Sequence, residues 1–67
     1  MKISLNNRPE TIAKDNITVS ELLALKNFTF KMMITKINGK LIKKNERELA
    51  IIKEGDDVQV IHMISGG

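Results

Sequence analysis

The sequence contains no cysteine, tryptophan or tyrosine, and it has a single proline. Without cysteine, neither a disulfide nor a thiolate metal site can stabilise the fold. A chain of 67 residues buries only about 60% of the surface that its unfolded form exposes. We therefore expect one small domain that rests on a compact sheet-and-helix core and has no enclosed active-site cavity.

Long apolar runs are also missing. No segment approaches the roughly 20 apolar residues of a membrane span, and the first residues lack the apolar stretch of a signal peptide. A chain without cysteine also suits a reducing compartment. We therefore expect a cytoplasmic protein with no membrane partner.

Aromatic residues are scarce, which bears on the meaning of the net charge of +3. Phe28 and Phe30 are the only Phe, Tyr or Trp residues, and the lysines are spread along the chain. Proteins that bind single-stranded nucleic acid need exposed aromatic side chains inside a basic groove. We therefore expect no nucleic-acid partner, and we expect both phenylalanines to fill the core.

The first half of the chain predicts a hairpin followed by a helix. Residues 2–6 alternate polar and apolar side chains, as in a half-buried strand, and a second strand is expected over 10–13. Thr18 and Glu21 have the spacing of a capping box, which predicts a helix over residues 19–26. The apolar face of this helix consists of Val19, Leu22, Leu23 and Leu25, and it should lie on a sheet.

The second half predicts further strands. Residues 32–37 form a strand whose alternation is too weak to show which side faces the helix. Asn38-Gly39 predicts a type I′ hairpin turn, because that turn needs a positive φ at both central positions. A short strand over 40–42 follows. A charged, irregular stretch comes next, after which Leu49 and either Ile51 or Ile52 return to the core.

Residues 57–63 form the last strand. The element order predicts an α+β fold in which one helix lies across one face of a mixed, four- to five-stranded sheet. The first and last strands should be central and parallel, and one sheet face should remain open to solvent. Val58 and Val60 should face the helix, while Ile61 and Met63 should lie on the open face.

Side-chain chemistry is sparse. His62 is the single histidine and has no cysteine partner for catalysis or metal binding, so it should be a rim residue. Asp56 and Asp57 are adjacent and would point to opposite faces of a strand, so they belong to a turn. Gly39 and Gly55 are isolated and form no phosphate loop. We expect no catalytic side chain and no metal site, and thus not an enzyme.

The chain closes on Gly66 and Gly67. Glycine has no Cβ, so such a tail can thread a narrow slot and leaves the carboxylate sterically bare. The alternative is a frayed end without a function. We expect a domain over residues 1–63 and a flexible tail over 64–67.

Several motifs, taken together, resemble the ThiS family of sulfur carriers. They occur in the same order over nearly the whole chain, and they lie at residues 1–3, 18–23, 37–42, 54–58 and 61–67. The resemblance implies a ubiquitin-like β-grasp fold. Two departures lie in loops: many relatives have Pro-Arg in place of Lys43-Lys44, and Asn-Gly is usual in place of Asn6-Asn7.

The resemblance also implies a mechanism. A ThiF-type enzyme would adenylate the Gly67 carboxylate with ATP and Mg²⁺, and sulfur from a persulfide donor would replace AMP to leave a thiocarboxylate. A ThiG-type thiazole synthase would then take the sulfur for thiamine. The carrier itself would bind no cofactor and would be a monomer when free.

A partner surface is expected beside the tail. Ile61 and Met63 on the open face, with Ile64 and Ser65 in the tail, would contact the partner enzymes, because contiguous exposed apolar side chains often mark interfaces. Two other functions remain open. One is a MoaD-type carrier for molybdopterin or another thiolation pathway, and the other is a β-grasp binding module whose Gly-Gly end is incidental.

Overall fold

The computed structural model describes residues 1–63, and the predicted tail over 64–67 lies outside them. Within this range the chain forms seven strands, one α-helix and one short 3₁₀ helix. In chain order these are β1 (Lys2–Leu5), β2 (Arg8–Thr11), β3 (Asn16–Thr18), α1 (Val19–Leu25), β4 (Met33–Ile37), β5 (Lys40–Ile42), the 3₁₀ helix (Lys44–Glu46), β6 (Ile51–Lys53) and β7 (Asp57–His62).

Five strands form the main sheet, in the order β2-β1-β7-β4-β5. β1 runs parallel to β7, and the other neighbouring pairs are antiparallel. The prediction that the first and last strands are central and parallel is therefore confirmed. Together with the single helix, this is the α+β arrangement of a ubiquitin-like β-grasp.

Aliphatic side chains from the helix and one face of the sheet make up the core. Leu22 of α1, Ile52 of β6 and Val58 of β7 are completely buried. Full burial of such a side chain stabilises the fold by about 1.5–3 kcal/mol. The buried apolar set is Ile3, Leu5, Ile12, Ile17, Val19, Leu22, Ile42, Ile52, Val58 and Val60.

The start of the helix is as predicted. The Glu21 backbone N–H donates to Thr18 Oγ1 at 3.0 Å, and the Thr18 N–H donates to Glu21 Oε1 at 2.8 Å. Two hydrogen bonds with Thr18 lower the pKa of the Glu21 carboxyl. The bond to the Thr18 backbone has the larger effect on this pKa, and the bond to the Thr18 side chain has the smaller one. The helix ends at Leu25, one residue before the predicted end, and Asn27 has a φ of 58°.

A second, two-stranded sheet was not predicted. β3 pairs antiparallel with β6 and places Ile17 opposite Ile52. A strand of three residues is too short to show alternation in the sequence.

Leu49 was wrongly predicted to reach the core, since its side chain is 80% exposed. Its backbone N–H donates to the carbonyl of Glu46, so Leu49 still belongs to the turn that follows the 3₁₀ helix. The chain returns to the core at Ile52, which was one of the two alternatives considered, whereas Ile51 is exposed.

The expectation that both phenylalanines fill the core is half right. Phe28 packs against the core cluster, but Phe30 is 37% exposed. Aliphatic side chains supply the whole of the buried cluster. Phe30 therefore lies at its margin, in the connection between α1 and β4.

The two turns predicted at Asn38-Gly39 and Gly55-Asp56 meet each other. Asn38 and Gly39 have φ values of 50° and 83°, as a type I′ turn requires. Asn38 Nδ2 donates to Asp56 Oδ1 at 3.0 Å, and Asn38 Oδ1 accepts from the Asp57 N–H at 2.8 Å. Asp56 is buried, and its Oδ2 accepts from the Lys53 N–H at 3.0 Å. Its carboxylate therefore links the Asn38-Gly39 turn to the end of β6, a role that the sequence analysis did not predict.

Candidate functional site on the open sheet face

β7 has one face that is buried and one face that is exposed. Val58 and Val60 are buried in the core, as predicted. Ile61 is 40% exposed and Met63, just past the strand, is 42% exposed. The strand is still held at this point, because the Met63 N–H donates to the Met32 carbonyl at 2.9 Å.

The register of the neighbouring strands extends the exposed face. Ile34 of β4 lies opposite Ile61, and Lys36 lies opposite Gln59. Leu41 of β5 lies opposite Lys36 and is 51% exposed. Cross-strand partners share a face, so three apolar side chains lie on the open face. Together with Met63 they form what we call the open-face patch: Ile34, Leu41, Ile61 and Met63.

A depression adjoins this patch at the β4–β5 end of the sheet. Ile34, Leu41 and Met63 line its apolar side. Its other lining residues include four cations: Lys31, Lys43, Lys44 and Arg47. The depression is thus lined by both apolar and basic side chains.

Within residues 1–63, Arg47 is the one cation of the four whose side chain donates hydrogen bonds to the sheet. Its Nη2 donates to the Met33 carbonyl at 2.9 Å, and its Nε donates to Thr35 Oγ1 at 3.3 Å. Thr35 Oγ1 in turn donates to the Ile42 carbonyl at 2.8 Å. These bonds fix the guanidinium beside the β4–β5 edge, while the three lysines are exposed.

His62 lies at the end of β7 and stacks on Phe30, with ring centroids 4.1 Å apart. It is exposed, as expected of a rim residue. Across residues 1–63 the structure contains no group of three or more His, Asp or Glu side chains that could hold a metal ion.

Two of the six predicted site residues fall within the described chain. Ile61 and Met63 lie together at the end of β7, and their role in partner binding stays a prediction. The other four, Ile64, Ser65, Gly66 and Gly67, lie outside the described residues. β7 therefore leads directly from the open-face patch into the segment that would carry the chemistry.

Sequence reasoning missed Ile34 and Leu41. Apolar residues occur on both sides of β4, so alternation alone could not give its facing. The Asn38-Gly39 turn predicts part of this register. A two-residue loop pairs Ile37 with Lys40, and therefore Lys36 with Leu41, which places Leu41 on the same face as Lys36.

A sequence model described as the ThiS family matches residues 3–67. The chain belongs to the ThiS family. The crystal structure of a thiamine biosynthesis protein (ThiS) from Geobacter metallireducens is similar, with a TM-score of 0.86 and 28% identity over 100% of both chains. A solution NMR structure of a thiamine biosynthesis protein from the same organism has a TM-score of 0.78 and 28% identity, covering 100% of this chain and 88% of that one.

Membership of the ThiS family supports the role of a small sulfur carrier rather than a catalyst. It also confirms the resemblance drawn from the order of the motifs. Within residues 1–63, no helix has the length and apolar character needed to cross a membrane.

Proposed function

We propose that this ThiS-family chain carries sulfur for thiazole formation in thiamine biosynthesis, and that the carboxylate of Gly67 is the carrying group. The observation that supports this most strongly is the position of the open-face patch. Exposed Ile61 and Met63 lie at the point where β7 leads into residues 64–67. A docking surface there would bring a partner enzyme next to the reacting end.

The carboxylate needs activation before it can accept sulfur. Its pKa is ordinarily about 3.3–3.7, so near neutral pH it is an anion and a poor electrophile. A ThiF-type enzyme would use ATP and Mg²⁺ to form an acyl adenylate on Gly67 and release pyrophosphate. The terminal sulfur of a persulfide then attacks the carbonyl carbon and AMP leaves. Reduction of the resulting acyl disulfide by a thiol gives the thiocarboxylate.

The tail acts as a tether in this proposal. Four residues span at most about 13–14 Å when extended, which suffices to reach into an active site while the folded body docks outside. Gly66 and Gly67 would pass through the narrowest part of that site, since they have no side chains. Ile64 and Ser65 would contact the walls of its entrance.

The open-face patch would provide the affinity. A few well-packed residues near the centre of an interface contribute most of its binding energy. Met63 suits a surface that meets both a ThiF-type and a ThiG-type enzyme, because its flexible side chain can repack against different partners.

Reconstitution with isotopically labelled sulfur tests the proposal. The chain is combined with a ThiF-type enzyme, ATP, Mg²⁺, a persulfide donor carrying heavy sulfur, and a ThiG-type synthase with its substrates. We expect the heavy isotope in the thiazole product, and none when the chain lacks Gly67. Transfer to molybdopterin but not to thiazole, in a parallel reaction with molybdopterin synthase components, would contradict the thiamine assignment.

A further inference from the structure

The charges on this protein are unevenly distributed. The depression beside the open-face patch is lined by four of the 11 basic residues and by none of the eight acidic ones. A second groove lies beside α1, and it is lined by one residue of each sign, Lys14 and Glu21. The excess of positive charge is therefore local to this depression, which Met63 at the end of β7 also lines.

The cations of the depression are available to a partner. Lys31, Lys43 and Lys44 are exposed, and they line the same depression as the apolar residues Leu41 and Met63. Glu46 offsets part of this charge, and its Oε1 accepts a hydrogen bond from the Lys43 backbone N–H at 2.9 Å. The balance remains positive on this side of the patch.

We propose that the cations of this depression select the partner: the docking face of the ThiF-type enzyme presents Asp or Glu carboxylates opposite Lys31, Lys43 and Lys44, beside apolar side chains that meet the open-face patch. The inference rests on the proposed function and specifies the chemistry of its partner.

Exposed lysines at the margin of an interface act mainly on the rate of association. They remain solvated and add little to the final affinity, but they steer an oppositely charged partner and repel a like-charged one. Their field reaches about 8 Å at physiological ionic strength and shortens as salt is added. Association should therefore be fast at low salt and should slow as salt rises.

A pair of matched double variants tests this. Stopped-flow measurements give the association rate constant with the ThiF-type enzyme of the same organism, for the wild type, for Lys43→Glu with Lys44→Glu, and for Lys14→Glu with Lys53→Glu. Both variants change the net charge equally, but Lys14 and Lys53 lie at the β3–β6 side of the molecule. At low salt we expect a roughly tenfold slower association for the first variant only. At about 0.5 M salt the difference should largely vanish.

Equal slowing by both variants, or by neither, would overturn the inference. Carbodiimide cross-linking gives a second measurement, since it joins a lysine amine to a carboxylate that it touches. Cross-links from Lys31, Lys43 or Lys44 to Asp or Glu of the enzyme are expected, and their absence in a complex that forms would contradict the proposed contact. RNA binding that these lysines control, without an effect on the enzyme, would also overturn it.

Separate results would contradict the carrier function and the partner chemistry. If the wild type gains sulfur but the lysine variants associate normally, the partner chemistry is wrong and the carrier function stands. The activating enzyme must first be shown to load sulfur onto its own carrier. If it then loads none onto the wild type of this chain, the proposed function fails and the inference fails with it.

Discussion

The imidazole ring of His62 lies flat against the phenyl ring of Phe30, with centroids 4.1 Å apart and planes inclined by 13°. Phe30 stacks in turn on Phe28, at 5.8 Å, and Phe28 packs against the core. On the backbone side, the Met63 N–H bonds to the Met32 carbonyl. The end of β7 is thus held by both side chain and backbone immediately before residue 64.

Removal of this stack should loosen the end of β7. In Phe30→Ala we expect the Met63 amide to exchange its hydrogen several times faster, because an aromatic pair contributes about 0.5–1.5 kcal/mol beyond its buried area. Hydrogen exchange followed by NMR measures this directly. Leu49→Ala is the control, since Leu49 is 80% exposed and should leave Met63 unchanged. Unaltered hydrogen exchange of the Met63 amide in Phe30→Ala would show that the aromatic stack does not stabilise the end of β7.

A charge placed on the open-face patch should impair docking without unfolding the domain. We expect Ile61→Asp to raise the Kd for the ThiF-type enzyme at least about tenfold, or 1.4 kcal/mol, because it puts an unpaired charge at the apolar centre of the interface. Calorimetry or biolayer interferometry measures the Kd. Ile51→Asp is the matched control: Ile51 has similar exposure but belongs to the β3–β6 sheet. Equal weakening by both changes would contradict the placement of the docking surface.

The buried carboxylate of Asp56 should matter more than that of its neighbour. Asp56→Ala removes the hydrogen bonds that the buried carboxylate accepts from the Lys53 N–H and Asn38 Nδ2, and a hydrogen bond to a charged group contributes about 1.5–3 kcal/mol. Urea denaturation gives the free energy of unfolding. Asp57→Ala serves as control, because Asp57 is exposed and meets Asn38 through its backbone. Similar losses in the two variants would exclude this role of Asp56.

The capping box predicts a pH-dependent contribution. Because folding lowers the pKa of Glu21 from 4.5, its stabilising effect is present above that value and is lost as the pH falls through the lower, folded pKa. The difference in free energy of unfolding between wild type and Glu21→Gln should therefore be larger at about pH 7 than at about pH 3. Urea titrations at the two pH values measure it. A difference that is independent of pH would contradict the assignment.

Local signals in the sequence predicted the elements that depend on local chemistry. The capping box located the start of α1, and Asn38-Gly39 located the β4–β5 turn, because each motif satisfies a backbone requirement by itself. The short sheet of β3 and β6 was missed because it depends on a long-range pairing of Ile17 with Ile52. Phe30 was wrongly placed in the core, because the apolar character of a side chain does not show that the core has room for it.

The candidate site, like the fold, was predictable only in part. The alternation of β7 put Ile61 and Met63 on the open face, and both are exposed. Ile34 and Leu41 became visible only with the register of β4, whose two faces are both largely apolar. The gathering of Lys31 with Lys43 and Lys44 depends on the tertiary fold, since the sequence places them far apart.

Intact-protein mass spectrometry tests the central claim most directly, by asking whether Gly67 carries sulfur. The chain is incubated with ATP, Mg²⁺, a ThiF-type enzyme, a persulfide donor and a thiol, beside a variant that lacks Gly67. We expect the mass gain of one sulfur replacing one oxygen, confined to the last residue and absent from the variant, which should remain folded. No gain with enzymes that modify their own carriers, or an equal gain in the variant, would contradict it.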